Sequence, residues 1–181
     1  MGKVHIPPEL MQRVASGDDQ AFEQLYRLTF KPVYSFLLSM TTDQEDAMDI
    51  LQETYIRVHG SAHLYREQGN PMAWIMTIAR NLFLMERRKR RALPVGADEL
   101  AARDEPSFDD VADHETRMFL RELFENLTEE ERTIVVMHAV SGFRHREIAE
   151  VMDLPLGTVL SKYNRSMRKL AASARETAQG E

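Results

Sequence analysis

The chain has 181 residues, which is enough for one medium-sized domain or two small ones. With 43% hydrophobic and 29% charged residues, we predict a buried core and exclude disorder throughout. There is no cysteine, which excludes a disulfide scaffold, thiolate metal ligands and a cysteine nucleophile. No apolar run approaches the roughly 20 residues that cross a bilayer, and the N-terminus lacks the apolar core of a signal peptide, so we expect no membrane insertion.

The net charge of −6 is unevenly distributed along the chain. Residues 87–91 form an unbroken basic run, Asp and Glu crowd residues 98–115, and the last predicted helix is basic again. The clustering of charge, more than its sum, decides whether a protein binds nucleic acid. The distribution fits a DNA-binding protein and equally an acidic protein with two solvated basic patches.

Helical patterns dominate the first half of the chain. Apolar residues recur every three or four positions over 22–40, which predicts an amphipathic helix that Pro32 kinks or splits. A second helix is predicted to begin at a cap formed by Thr42 or Asp43. After a loop signal, Pro71 suits the first turn of a third helix.

The composition changes at Pro94, where proline, glycine and acidic residues predict a linker. Helices are predicted again over about 115–126 and over 128–140, the latter opening with the cap-like sequence TEEE. No period-two alternation indicates a strand. We therefore predict an all-α fold of two small helical domains, 1–93 and 114–181, joined by a flexible acidic linker over 94–113.

Residues 146–170, REIAEVMDLPLGTVLSKYNRSMRKL, have the pattern of a helix-turn-helix. Ile148, Ala149 and Met152 would face inward on a supporting helix, and Asp153 stands where a sharp turn favours a residue that tolerates positive φ. A second helix with an outward polar face would then follow. The alternative is a plain helical hairpin with a solvated basic end.

Two longer stretches resemble a known family. The sequences DAMDILQETYIRVHGSAHLY and NPMAWIMTIARNLFLMERRKRR look like region 2 of bacterial sigma factors, and 125–170 resembles their region 4. With only these two regions, the chain is most similar to the extracytoplasmic function (ECF) group. The resemblance implies a protein that binds core RNA polymerase, through its largest catalytic subunits, and directs promoter recognition and DNA opening without being an enzyme.

The resemblance also implies which side chains would bind each partner. Polymerase docking would use Asp46, Asp49, Gln52, Glu53 and Arg57. The melted promoter element would be bound by Tyr65, Arg66, Gln68, Asn70, Arg80, Asn81, Arg87, Arg88 and Arg91. The upstream element would be read by Thr158, Leu160, Ser161, Lys162, Asn164, Arg165 and Arg168. Taken alone, the first set is equally an ordinary solvated helix face, and the basic run is equally a solvated helix end or a nuclear-import signal.

Three positions depart from the family pattern. Met85 stands where the family often has an acidic residue, Leu160 where many relatives carry Lys or Arg, and Asn164 where an aromatic residue or His is frequent. We therefore expect an upstream promoter element different from the common one. Trp74 could line the melted-strand site, but a lone Trp on an apolar stripe is more typical of a core residue.

Other patterns lead to fewer expectations. His59 and His63 have a spacing that can bind a metal, but Gly60 lies between them and no third ligand is evident, so we expect no metal or other cofactor and no small-molecule substrate. The acidic linker is either a tether or a nucleic-acid mimic, and it could fold the two domains together through 87–91 and hide both DNA surfaces.

The resemblance further implies an anti-sigma factor as partner and a cytoplasmic protein that joins the nucleoid within the holoenzyme. The alternative function is a stand-alone helix-turn-helix regulator, which would leave the second helix and the 65–91 surface unexplained.

Overall fold

A computed structural model describes residues 4–41, 43–65, 69–92 and 125–179, and these residues form helices and connecting turns with no strand among them. The all-α prediction is therefore confirmed. The seven α-helices of this part of the chain are α1 (Pro8–Ala15), α2 (Asp19–Thr41), α3 (Gln44–Ser61), α4 (Pro71–Ala92), α5 (Glu129–Ala139), α6 (His145–Met152) and α7 (Leu156–Gln179). None of the helices in these ranges is both long enough and apolar enough to cross a membrane.

Local sequence signals account for the helix starts. Pro71 is the first residue of α4, where its missing N–H costs nothing. The Asp43 carboxylate accepts a hydrogen bond from the Asp46 backbone N–H at 2.9 Å and so caps α3. Thr128 and Glu131 form a reciprocal capping box at the start of α5, as the TEEE sequence predicted.

Of the two outcomes predicted at Pro32, a kink or a split, the split does not occur. The α2 helix continues without a break from Asp19 to Thr41, although Pro32 cannot donate the usual backbone hydrogen bond. Every residue from Pro32 to Met40 is buried, so tertiary packing on all sides holds this part of the helix together.

Two central helices organise the packing. The first is α2, which contacts α1, α3 and α4, and the second is α5, which contacts α6 and α7. These two helices also pack against each other, so that a single hydrophobic cluster runs through both halves of the molecule. The linker predicted over 94–113 and most of the helix predicted over 115–126 lie outside the described residues.

The helix-turn-helix pattern is realised by α6 and α7. Asp153 adopts φ 53°, the left-handed conformation that the sequence predicted for the turn. The Leu154 backbone N–H donates to the Ala149 carbonyl at 3.0 Å and closes the end of α6. Ile148, Ala149 and Val159 are buried between the two helices and α5, which fixes the direction in which α7 leaves the turn.

Candidate nucleic-acid interface

The predicted polymerase-docking residues share one side of α3. Asp49, Gln52 and Arg57 are exposed, while Asp46 and Glu53 are partly buried. Arg57 donates to the Glu53 carboxylate at 2.9 Å, one turn away on the same helix. An exposed pair of this kind contributes little to stability, so this side of α3 remains available to a charged partner.

Asp46 differs from its neighbours because its partner lies on another helix. Both of its carboxylate oxygens accept hydrogen bonds from the Arg90 guanidinium of α4, at 2.7 and 2.5 Å. This hydrogen bonding raises the pKa of Arg90 above its ordinary value, so the guanidinium stays charged. The pair joins a predicted polymerase-docking residue to the basic run. No sequence pattern indicated it, because the two residues are 44 positions apart.

The region before α4 contains the first predicted DNA residues. The Tyr65 hydroxyl donates to the Gly69 carbonyl at 2.5 Å, and the Tyr65 ring lies 5.4 Å from that of Trp74. Trp74 itself is half-buried and packs against the core. Arg66 and Gln68, predicted for the same site, lie outside the described residues.

Asn70 has both ends of its side-chain amide occupied. Its Oδ1 accepts from the Met72 backbone N–H at 3.1 Å, which caps the start of α4. Its Nδ2 donates to the Glu147 carboxylate of α6 at 2.8 Å. A predicted ligand of single-stranded DNA is thus hydrogen-bonded to the supporting helix of the helix-turn-helix.

The predicted residues along α4 have different surroundings. Arg80 is half-buried, Asn81 is exposed, and Asn81 lines a mainly apolar groove of about 460 Å³ with Arg57 and Ile78. The groove therefore lies between the two predicted sites on α3 and α4. Met85, which departs from the family pattern, is exposed on the same helix.

The basic run at the end of α4 is partly bound by acidic groups. Arg87 donates to both carboxylate oxygens of Glu129 at the start of α5, at 3.0 and 3.2 Å. Arg88 is exposed, whereas the side chain of Arg91 is outside the described part of the chain. Arg87, Arg90, Glu129 and Arg132 line a cavity of about 260 Å³ between α2, α3, α4 and α5.

The predicted reading face lies on α7 and is open. Leu160, Ser161, Asn164, Arg165 and Arg168 are all exposed, as the sequence predicted. Two further predicted residues are less accessible: Thr158 is half-buried, and the Lys162 ammonium lies 2.9 Å from the Glu130 carboxylate. The N-terminal half of α7 therefore presents apolar, amide and cationic groups together, which is the mixture that reads base edges and holds phosphates.

Comparisons with known proteins agree with this arrangement. Residues 25–93 match the family model described as Sigma-70 region 2, and residues 118–170 match the model described as Sigma-70, region 4. The chain is 34% identical to the ECF RNA polymerase sigma factor SigE of Mycolicibacterium smegmatis over 179 residues, covering 91% of this chain and 68% of the relative. The chain belongs to the ECF family of RNA polymerase sigma factors.

This ECF sigma factor has further relatives of similar length. It is 30% identical to the ECF RNA polymerase sigma factor EcfG of Rhodopseudomonas palustris, with 76% of each chain covered. The protein therefore functions as a sigma factor in transcription initiation, binding core RNA polymerase and promoter DNA. The alternative of a stand-alone regulator accounts for α7 but leaves the matched region 2 without a role.

Solved structures confirm the fold. CnrH, solved in complex with the cytosolic domain of CnrY, superposes with a TM-score of 0.66 at 20% identity, covering 93% of this sigma factor and 97% of CnrH. RpoE of Bartonella quintana, solved in complex with the anti-sigma factor NepR, gives a TM-score of 0.65 at 22% identity, covering 85% and 96%. At these identities the likeness is one of helical architecture.

Proposed function

We propose that this sigma factor divides initiation among three surfaces: α3 for docking on polymerase, the start and outer side of α4 for the melted strand, and α7 for the upstream duplex. The corresponding domains are 1–93 and 114–181, with 94–113 as the linker. The observation that carries the proposal is that α3 and α7 each expose a polar row of the predicted residues while their other sides are buried in one core.

The docking surface on α3 is led by Asp49. Asp49 and Gln52 are exposed, and Glu53 and Arg57 extend the same side by one turn. Charged groups at the rim of an interface chiefly set orientation and the rate of encounter. A complementary, basic surface on a polymerase subunit is therefore the expected partner, with Asp46 contributing once Arg90 releases it.

The melted strand is bound by groups along α4 and in the loop before it. Single-stranded DNA needs cations for its backbone and aromatic or polar pockets for its unpaired bases. Tyr65, Asn70 and Asn81 offer aromatic and polar groups for the unpaired bases. The cationic members are Arg80, Arg87 and Arg88, to which the sequence adds Arg66 and Arg91, with Gln68 as a further polar group.

The upstream duplex is read by the N-terminal half of α7. Asn164 has the amide that pairs with adenine, and Leu160 has the apolar surface that contacts a thymine methyl group. Arg165, Arg168, Lys162 and Ser161 supply phosphate contacts, which position the helix. Because Leu160 and Asn164 replace the residues common in relatives, the proposal includes an upstream element of its own.

Several finer points follow from this role. Positioning and opening DNA require no bond chemistry from the protein, so we infer that it is not an enzyme. A protein of this kind works on polymerase and DNA, which implies a cytoplasmic location and association with the nucleoid in the holoenzyme. An anti-sigma factor is an expected partner, since two structures of similar fold are of complexes with CnrY and with the anti-sigma factor NepR.

The test is retention of bacterial core RNA polymerase by the wild type and by Asp49→Lys/Glu53→Lys. We expect the wild type to retain core and the double variant to lose it, because the substitutions reverse the charge of the α3 surface. The matched control is Glu23→Lys, an exposed acidic residue of α2 that also has an ion pair with an Arg one turn away. Equal retention by both variants would disprove the docking assignment. A wild type that shifts duplex DNA alone but retains no core would favour the stand-alone regulator.

A further inference from the structure

The two halves of the molecule meet along α2 and α5, and the contact is extensive. Every residue of α2 from Pro32 to Met40 and every residue of α5 from Thr133 to Met137 is buried. A helix that serves one small helical unit normally keeps a polar side toward solvent. Burial on all sides shows that each central helix is covered by its own unit on one side and by the other unit on the opposite side.

Small polar residues allow the two helices to approach closely. Ser39 of α2 and Thr133 of α5 are both fully buried, and their hydroxyl oxygens lie 3.2 Å apart. Each hydroxyl also donates to a carbonyl of its own helix, so neither is left without a partner. Arg132 of α5 completes the contact by donating to the Ser39 carbonyl at 3.3 Å.

The packing of the two halves, of α5 on α2 and of α6 on α4, also brings carboxylates onto the surface proposed for the melted strand. Glu129 binds Arg87 through both of its oxygens, and Glu147 accepts from Asn70. A carboxylate is an anionic acceptor, as a phosphate is, and it occupies the donors that DNA would use. DNA entering this site would also meet the negative charges of Glu129 and Glu147.

The stability of this arrangement comes from the helices rather than from the ion pair. The side chains of Arg87 and Glu129 remain 40% and 41% exposed, and an ion pair with such access to water contributes little stability. Separating α2 from α5 would instead expose apolar residues of both helices to water, which is unfavourable. The apolar contact between α2 and α5 keeps the halves together. The carboxylates of Glu129 and Glu147 occupy the groups that would otherwise bind DNA.

We propose that the C-terminal half is an intramolecular ligand of the melted-strand surface. In the closed protein Glu129 and Glu147 hold Arg87 and Asn70, and α2 must separate from α5 before these residues bind single-stranded DNA. This inference rests on the proposed function, since it assumes that α4 and the loop before it bind the melted strand. The α3 docking side and the α7 reading face stay exposed, so closure blocks strand capture without blocking either of them.

The chain offers a direct test because it contains no cysteine. Ser39→Cys/Thr133→Cys puts two thiols where the hydroxyl oxygens are 3.2 Å apart, a separation that a disulfide can bridge with little movement. Oxidation then locks the closed form, and reductant releases it in the same sample. Open complexes are measured by permanganate reactivity of unpaired thymines on a promoter selected with the wild-type holoenzyme, and retention of core polymerase is measured in parallel.

We expect the oxidised protein to retain core polymerase and lose open-complex formation, and reductant to restore it. Oxidised protein that opens the promoter as well as the reduced form would overturn the proposal. Oxidised protein that no longer retains core would also overturn it, because closure would then act on docking. Reduced protein that neither retains core nor opens the promoter would instead count against the proposed function.

The controls for the lock are the single variants Ser39→Cys and Thr133→Cys, treated with the same oxidant. A single thiol forms no intramolecular disulfide, so α2 and α5 stay free to separate. We expect oxidation of either single variant to leave open-complex formation unchanged. A loss equal to that of the Ser39 and Thr133 pair would show that oxidation, rather than closure, is responsible.

A second pair of variants tests the carboxylates without a cross-link. Glu129→Gln/Glu147→Gln removes both charges, and Gln at position 147 still caps α6. We expect the free protein to bind a single-stranded oligonucleotide of the melted element several-fold more tightly than the wild type. The control is Glu150→Gln, an exposed residue of α6, for which no change is expected. Unchanged affinity in the double variant would contradict occupation of the site.

Discussion

The surfaces around α4 and along α7 carry the same kinds of side chain but differ in what already binds them. On α4 and in the preceding loop, Asn70 is bound by Glu147 and Arg87 by Glu129, both from the other half of the molecule. On α7, Asn164 and Arg165 are exposed. The surface proposed to read the upstream element is therefore exposed in the structure, whereas residues proposed for the melted strand are already bound.

The difference bears on a possibility raised by the sequence. There the acidic linker, which lies outside the described residues, could fold the two domains together through 87–91 and hide both DNA surfaces. In the structure the C-terminal half contacts Arg87 and Asn70 but leaves the outward side of α7 open. Under the proposed assignments, the sigma factor would meet duplex DNA first and single-stranded DNA only after the halves separate, which is the order in which a promoter presents them.

The difference between the two surfaces is tested most directly by removing one arginine from each of them. Arg165→Ala is expected to weaken binding of a duplex carrying the upstream element, and to reduce the salt slope of the affinity by about 1 if the side chain binds a phosphate. Arg87→Ala is expected to leave duplex binding nearly unchanged, because Glu129 already holds that guanidinium. Fluorescence anisotropy of labelled duplex over a salt series measures both effects.

Arg27→Ala is the control for these two variants. Arg27 is exposed on α2 and pairs with Glu23, so its removal takes away the same charge at a site with no proposed DNA contact. Equal weakening of duplex binding by Arg87→Ala and Arg165→Ala would contradict the comparison, because Arg87 would then be available to DNA rather than held by Glu129.

The turn that directs α7 gives the next largest effect. Asp153 holds φ 53°, a conformation that is costly for residues with a Cβ and worst for β-branched ones. We expect Asp153→Val to lower the free energy of unfolding by about 1–2 kcal/mol. Asp153→Gly should change it little, because relief of the Cβ contact is offset by the greater freedom of the unfolded chain. Urea unfolding followed by circular dichroism measures both variants.

The Asp153→Val variant also tests whether duplex binding and polymerase retention depend on separate surfaces. Asp153→Val should reduce binding of the upstream duplex by tilting α7, while retention of core polymerase through α3 should persist. If core retention were lost together with duplex binding, the two halves would not act as separable surfaces.

Features governed by neighbouring residues were predicted well from the sequence. The capping box at Thr128, the start of α4 at Pro71 and the positive φ of Asp153 all depend on residues within a few positions of each other. The exposed row on α7 followed from helical periodicity alone.

Contacts between the halves were not predicted, because they join residues far apart in sequence. Arg87 and Glu129 are 42 positions apart, and Asn70 and Glu147 are 77 apart. Local patterns describe a helix with one buried side, whereas α2 is buried on two, so helical periodicity does not indicate that Ser39 is buried. One signal was available: Ser39 and Thr133 lie in strongly apolar stretches, where small hydroxyl residues satisfied by their own helix allow close packing.

The smallest predicted effect concerns a histidine cluster behind the reading face, which the sequence did not reveal. The rings of His138 and His145 stack at 4.5 Å, and both meet the edge or face of Tyr163 on α7. The Nε2 atom of His145 is buried and has no hydrogen-bond partner among the described residues. Burial, and then the proximity of His138, hold the pKa of His145 below its ordinary value.

This lowered pKa gives the pH dependence of stability a definite sign. Between the unfolded pKa of about 6.5 and the lower folded value, the unfolded chain binds more protons than the folded one, so stability falls as pH falls. We expect urea midpoints to decline from pH 7 to pH 5, and His145→Gln to flatten the decline. His63→Gln, an exposed histidine, is the control. An equally steep decline in His145→Gln would show that other groups cause the pH dependence. It would also show that protonation of this cluster does not affect the packing that supports α7.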